Sequence, residues 1–93
     1  MGQDWTLQLG CRIRAWRVRR KLSQAEAASR AGIAQPTWSN YETAAREPTV
    51  AAILLVAAAL DVTVGHLIDT DDLVFLADSR LARALDAAER MLP

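Results

Sequence analysis

Signals that start and stop helices lie so close together in the middle of this chain that they permit only short helices. Ser23, with a glutamate three residues later, forms a capping-box pattern, and Gly32 suits the left-handed residue that ends a helix. Pro36 is tolerated in a first helical turn, so another helix begins soon after the glycine. The sequence therefore predicts two short helices, Gln24–Ala31 and Gln35–Glu42, joined by a tight turn.

Further start and stop signals predict helices on both sides of this pair. They run from about Leu7 to Lys21, from Val50 to Leu60 after a Thr49 cap, from Val64 to Ile68 after a Thr63 cap, and from about Leu73 to Met91. In the first of them Leu9, Ile13 and Trp16 share one face. Eighteen alanines against 4 glycines and 3 prolines also favour helix. The expected fold is an all-α domain of five helices with an additional C-terminal helix.

Composition limits the chain to a small class of proteins. Its 93 residues support one hydrophobic core. The longest apolar run, Val50 to Leu60, is 11 residues and too short to cross a bilayer. No signal peptide is recognisable, and a lone Cys11 excludes an intramolecular disulfide and a cysteine-based zinc site. We therefore expect a soluble, cytoplasmic protein with no membrane contact.

The net charge of zero conceals a difference between the two parts of the sequence. Residues 1–50 contain eight basic and four acidic side chains, a net charge of +4, whereas residues 51–93 contain three basic and seven acidic ones, a net charge of −4. A basic half is consistent with a polyanionic partner on one face. An ordinary surface in which opposite charges pair explains the same numbers, so charge alone leaves both interpretations open.

A longer set of residues is in register around the two short helices. It comprises Leu9-Gly10-x-x-Ile13-Arg14-x-x-Arg17, Leu22-Ser23-Gln24, Ala28, Gly32-Ile33, Trp38-Ser39-x-Tyr41-Glu42, Arg46-Glu47-Pro48-Thr49 and Leu60-x-Val62-Thr63-x-x-x-Leu67. This set resembles the lambda-repressor-like helix-turn-helix family, which contains Cro, phage repressors and Xre-type regulators. The resemblance covers about residues 7–68. It implies a DNA-binding domain over residues 1–68, followed by an extension over 69–93 used for packing or dimerisation.

The resemblance assigns DNA-binding roles by position. The expected base contacts are Gln35, Pro36 and Asn40, and the expected phosphate contacts are Gln24, Thr37, Ser39 and Arg46. A glutamine or asparagine can bond adenine through two atoms in the major groove, whereas a proline offers only an apolar surface to a thymine methyl. With so few polar base contacts, DNA shape would contribute to recognition.

Other positions match structural roles in the family. Arg17 and Glu42 correspond to an ion pair that fixes the recognition helix. Trp38 and Tyr41 correspond to core positions, although aromatic side chains of this kind can also stack on bases. Several residues depart from the family. Ala44 stands where glycine is usual, which predicts an altered or strained turn, Ala27 replaces a leucine, and Pro36 replaces a polar side chain.

Enzymatic and metal-binding interpretations find little support. His66 is the sole histidine, and no serine or cysteine stands beside it in a recognised motif. Together with Asp69, Asp71 and Asp72 it has some metal-ligand character, but a helix end followed by an acidic cap explains the pattern better. There is no phosphate-binding glycine loop. We therefore expect no enzyme activity, no cofactor and no metal.

The sequence favours a homodimeric repressor that reads a palindromic site in double-stranded DNA. The expected dimerisation or partner surface comprises Leu55, Leu81, Leu85 and Leu92. Two alternatives keep the fold but change the partner. One is an antitoxin-like or adaptor protein that binds another protein, through the C-terminal helix. The other is an interaction domain that has lost DNA binding, for which Pro36 and the neutral net charge are the best support.

Overall fold

A computed structural model describes residues 2–68, with side chains from Trp5 onward. Within this range the chain forms five α-helices and no strand: α1 (Gly2–Arg19), α2 (Gln24–Ala31), α3 (Gln35–Glu42), α4 (Val50–Leu60) and α5 (Val64–Leu67). The all-α fold with five helices is confirmed. The helix predicted from Leu73 to Met91 lies outside the described residues.

The predicted start of α1 is wrong by five residues. The helix begins at Gly2 instead of Leu7, and Trp5, only 5% exposed, extends the buried stripe that continues through Leu9 and Ile13. Burial of this indole against the core stabilises an N-terminal turn that has no capping signal in the sequence. The helix also ends two residues before the predicted Lys21, which has a left-handed φ of 60° and cannot continue it.

The helix pair in the centre has the predicted bounds. Ser23 Oγ accepts a hydrogen bond from the Glu26 backbone N–H at 3.0 Å, and Glu26 Oε1 accepts one from the Ser23 N–H at 3.1 Å. Gly32 then ends α2 at φ 71° and ψ 29°. Pro36 lies in the first turn of α3, where its missing N–H costs no helical hydrogen bond. Local signals are therefore sufficient to set the bounds of both helices.

The last two helices follow their predicted caps closely. Thr49 Oγ1 accepts a hydrogen bond from the Ala52 N–H at 3.1 Å at the start of α4. In α5, which ends one residue earlier than expected, His66 Nδ1 accepts the Thr63 N–H at 3.2 Å. This bond gives the histidine a capping role.

The core is built from side chains of all five helices, and its largest fully buried side chains include Trp38, Leu9, Ile13, Ile53 and Leu67. α2 packs against α3 and α4. It does so with small residues, since Ala27, Ala28 and Ala31 are all buried. Small side chains bring α2 close to its neighbours and hold it firmly beside α3.

Gly10 allows α1 to lie directly on the end of α3. A Cβ atom at this position would stand 2.6 Å from the Tyr41 carbonyl oxygen and 2.7 Å from that of Glu42. Both obstacles are backbone atoms, which cannot rotate away as a side chain would. Glycine is therefore required here for α1 to keep its distance from α3.

We expect Gly10→Ala to lower the free energy of unfolding by about 1–3 kcal/mol, the usual cost of overpacking, despite the better helix propensity of alanine. Gly65→Ala is the matched control, because its Cβ would meet only Thr63 Oγ1 at an ordinary 3.6 Å. Urea denaturation followed by circular dichroism measures both. Equal stability of the two variants would contradict the close contact.

The turn after α3 is strained, as the sequence predicts. Ala44 has a φ of 61°, in the left-handed region where a Cβ clashes with the following carbonyl. This conformation costs a non-glycine residue roughly 1–2 kcal/mol. The backbone is held there by hydrogen bonds on both sides, from the Ala44 N–H to Tyr41 O at 3.3 Å and from the Arg46 N–H to Asn40 O at 3.2 Å.

Replacing Ala44 by glycine should therefore stabilise the domain by about 0.5–1 kcal/mol, because relief of strain exceeds the entropy that glycine adds to the unfolded chain. The neighbouring Ala45, which is exposed and has no positive φ, supplies the control Ala45→Gly, which should be neutral or destabilising. Thermal unfolding distinguishes the two. A lower melting temperature for Ala44→Gly than for the unaltered protein would count against the strain.

Candidate nucleic-acid interface

One buried carboxylate joins the three N-terminal helices. The Glu42 side chain is 3% exposed and lies against the Arg17 side chain, whose Nε donates to Oε2 at 2.5 Å and whose Nη2 donates to Oε1 at 3.1 Å. Arg17 Nη1 also donates to the Leu22 carbonyl at 2.8 Å. A guanidinium that uses three nitrogens in this way fixes both the end of α3 and the loop before α2 relative to α1.

Two more side chains donate hydrogen bonds to this carboxylate. Trp38 Nε1 donates to Glu42 Oε2 at 2.6 Å, and Gln24 Nε2 donates to Oε1 at 3.1 Å. Each oxygen thus accepts two hydrogen bonds, which is the full capacity of a carboxylate. The tryptophan is completely buried and belongs to the core, so one side chain fills the interior and orients the acid as well.

These contacts set the protonation of Glu42. Burial by itself raises its pKa, since a carboxylate loses hydration. The hydrogen bonds from Arg17, Trp38 and Gln24, with the positive charge of the arginine, outweigh burial and hold the pKa of Glu42 below its usual value. The acid is therefore ionised at neutral pH, and removal of either member of the ion pair should cost about 3–5 kcal/mol.

Because the folded-state pKa of Glu42 is lowered, its contribution to stability is complete above the unfolded value of about 4.3 and is lost as the pH falls through the folded pKa. We expect stability to decline only below that pH. A carbon-13 NMR titration of the Glu42 carboxyl measures the pKa, and Trp38→Phe should raise it by removing one donor. A Glu42 pKa above about 4.3 in the unaltered protein would contradict this.

The outward face of α3 is polar and carries no exposed acid. Gln35, Pro36 and Asn40 are exposed, and Thr37 and Ser39 are half-buried beside them. The one acidic residue of this helix, Glu42, is turned inward and neutralised. The N-cap, Ala34, makes no side-chain hydrogen bond, in contrast to the serine and threonine caps of α2 and α4. No side chain at the N-cap therefore binds the first-turn N–H groups of Gln35 and Thr37, and Pro36 between them has no N–H.

The residues expected to contact phosphates lie on different elements around this face. Arg46 is exposed in the loop after α3, and its backbone N–H bonds the carbonyl of Asn40. Gln24 is half-buried at the first position of α2, with one amide hydrogen used by Glu42. A primary amide has a second hydrogen, so this side chain can still donate to a phosphate oxygen.

Two arginines have structural bonds that sequence reasoning missed. Arg20 donates to the carbonyls of Leu60 at 2.9 Å and Asp61 at 3.0 Å, at the end of α4, and Arg12 donates to the Leu67 carbonyl at 3.2 Å, at the end of α5. The partial negative charge at a helix C-terminus favours a cationic side chain there. No local signal could have shown these bonds, because the partners are 40 to 55 residues apart.

The described residues contain no group of three or more metal-binding side chains. Asp69, Asp71 and Asp72, which the sequence groups with His66 as candidate metal ligands, lie outside them. Cys11 is exposed on α1. No helix among the described residues is long and apolar enough to span a membrane.

Part of the expected dimerisation surface is visible. Leu55 is 47% exposed on α4, whereas its expected partners Leu81, Leu85 and Leu92 lie outside the described residues. Leu7 and Val18 on α1 are also exposed, at 52% and 58%. Apolar side chains of this size on the surface can form contacts with another protein chain.

Comparison with known proteins agrees with this geometry. A family model described as a helix-turn-helix domain matches residues 8–70, and the chain belongs to that family. This confirms the resemblance to Cro- and Xre-like proteins. Searches of curated proteins and of solved structures gave no match. The family consists of DNA-binding domains of regulators and is typically non-enzymatic.

Proposed function

We propose that this protein is a homodimeric repressor that reads a palindromic site in double-stranded DNA. The observation that supports it best is the division of α3 into two faces. Trp38 and Tyr41 anchor it in the core, while Gln35, Pro36 and Asn40 remain exposed on a surface without an exposed acid. A short helix that is firmly held and uncharged on its outward face suits the major groove.

In this proposal α3 reads base edges. Gln35, at the start of the helix, bonds adenine N6 and N7 with its amide, and Asn40 reads a second base or reaches a phosphate. Pro36 contacts a thymine methyl. The N-terminal end of α3 points into the groove, where the uncapped amides of its first turn favour a nearby phosphate.

Contacts to the sugar–phosphate backbone hold this helix in register. Gln24, Thr37, Ser39 and Arg46 carry this role in our proposal, and they come from α2, α3 and the loop after α3. Contacts to phosphates on both sides of the groove position the protein without reading sequence. Their loss should weaken binding to all DNA alike.

Two copies are needed to read two half-sites about 34 Å apart. We propose that Leu55 belongs to the surface that joins them and that Leu81, Leu85 and Leu92 complete it, with residues 69–93 acting as an extension of a DNA-binding unit formed by 1–68. A bound dimer represses by excluding other proteins from the DNA that it covers. It would act in the cytoplasm, without cofactor or metal.

A protein-binding function is the second candidate. It is favoured by the exposure of Leu7, Val18 and Leu55, the three large apolar side chains most exposed in the described part of the chain. An antitoxin-like or adaptor protein would bury them against a different chain. The same surface serves a homodimer, so the DNA experiment below decides between the two functions.

The test is selection of bound sequences from a random duplex pool at about 100 mM salt, a fixed value because such affinities depend steeply on ionic strength. We expect an inverted repeat with half-sites about one helical turn apart. On that site Gln35→Ala should weaken binding by about 1–3 kcal/mol and relax one base position. Gln24→Ala should weaken binding to all sequences nearly equally.

Gln8→Ala is the control, since this glutamine is exposed on α1, outside the helix pair, and is bonded by Arg12. It should leave affinity and sequence preference unchanged. Recovery of no sequence above background would reject DNA recognition in favour of a protein partner. Recovery of a single half-site would retain recognition and reject the dimer.

A further inference from the structure

The orientation of the Gln24 side chain is determined by its partner. A carboxylate has only acceptor atoms, so the amide nitrogen of Gln24, and not its oxygen, must face Glu42 Oε1, at 3.1 Å. The second hydrogen on that nitrogen consequently has a fixed direction. Because α2 begins at Gln24, this hydrogen lies at the N-terminal end of the helix, where an anion is also favoured by the backbone dipoles.

The position of Glu42 Oε1 is in turn determined by Arg17 Nη2, which donates to Oε1 itself at 3.1 Å, and by the donors to the other oxygen. Arg17 Nε and Trp38 Nε1 both donate to Oε2, at 2.5 and 2.6 Å, and together they prevent the carboxylate from rotating. The indole N–H comes from a completely buried ring that is fixed by the core. The chain of hydrogen bonds therefore runs from the interior, through Glu42, to the start of α2.

We propose that Trp38 and Glu42 are positioning residues for DNA binding, which act by holding the Gln24 amide ready to donate its second hydrogen to a phosphate oxygen. The inference rests on the proposed function, and it adds that a core tryptophan controls a backbone contact that it does not touch. Ordering this side chain before binding removes part of the entropy cost of association.

The test is a double-mutant cycle measured as DNA affinity on the selected site. Trp38→Phe keeps an aromatic ring and removes the N–H, and it should weaken binding about five- to tenfold, as for a charge-assisted hydrogen bond that is impaired. In a Gln24→Met background, which lacks the amide, the same change should have less than about a twofold effect. In a Gln35→Ala background it should retain its full effect.

An equal loss for Trp38→Phe in all three backgrounds would overturn the proposal, because the tryptophan would then act only through general stability. Thermal denaturation first shows the temperature range in which each variant is folded. DNA affinity is then measured at a low temperature within that range. Arg17→Lys is a second variant for the same cycle. It keeps the charge but lacks the paired nitrogens that fix the carboxylate.

A measurement without DNA separates this inference from the proposed function. The two side-chain amide protons of Gln24 should give separate NMR signals in the unaltered protein, with the proton bonded to Glu42 protected from exchange, and Trp38→Phe should shift both signals and reduce that protection. The matched signals of Gln8 should not change. If Gln24 is unaffected, positioning by Trp38 is wrong even where DNA binding is found. If Gln24 is affected but no DNA binds, positioning of the side chain is retained, and its role in DNA binding fails together with the proposed function.

Discussion

The arrangement of the helix pair depends on the carboxylate of Glu42. It accepts hydrogen bonds from α1 through Arg17, from α2 through Gln24 and from its own helix through Trp38. An ionised group with this little exposure is tolerated only because every acceptor site is filled and a positive charge lies against it. The angle between α2 and α3, on which the proposed docking into a DNA groove depends, is therefore set by electrostatics as well as by packing.

The same contact explains why α3 can be short and still be firmly held. Eight residues are too few for a helix to be stable in isolation. Trp38 and Tyr41 bury its inner face, Glu42 holds its end, and Gly10 lets α1 approach its last carbonyls. Because the inner face of α3 makes the contacts that hold the helix, its outward side chains are not needed for folding and can contact a partner. A recognition helix needs this property.

Some arginines form bonds within the domain, whereas others are candidate DNA contacts. The net charge does not reveal this difference. Arg17, Arg12 and Arg20 bond carboxylate or carbonyl oxygens within the domain, so part of the basic half of the sequence is used internally. Arg46 is exposed in the loop after α3. Three of the eight basic side chains of residues 1–50 are thus engaged within the domain, which leaves fewer of them to contact phosphates directly, although the net charge of +4 is unchanged.

The sequence by itself determined the helix pair and its caps, because each depends on residues within about four positions. It also indicated the ion pair of Arg17 and Glu42 and an altered or strained turn at Ala44, but only through resemblance to a family. Only the tertiary structure decided that Trp38 and Gln24 share this carboxylate and that α1 starts at Gly2. These features depend on elements that meet after the core has formed, and hydrophobic burial carries no local signal of which polar atoms it will bring together.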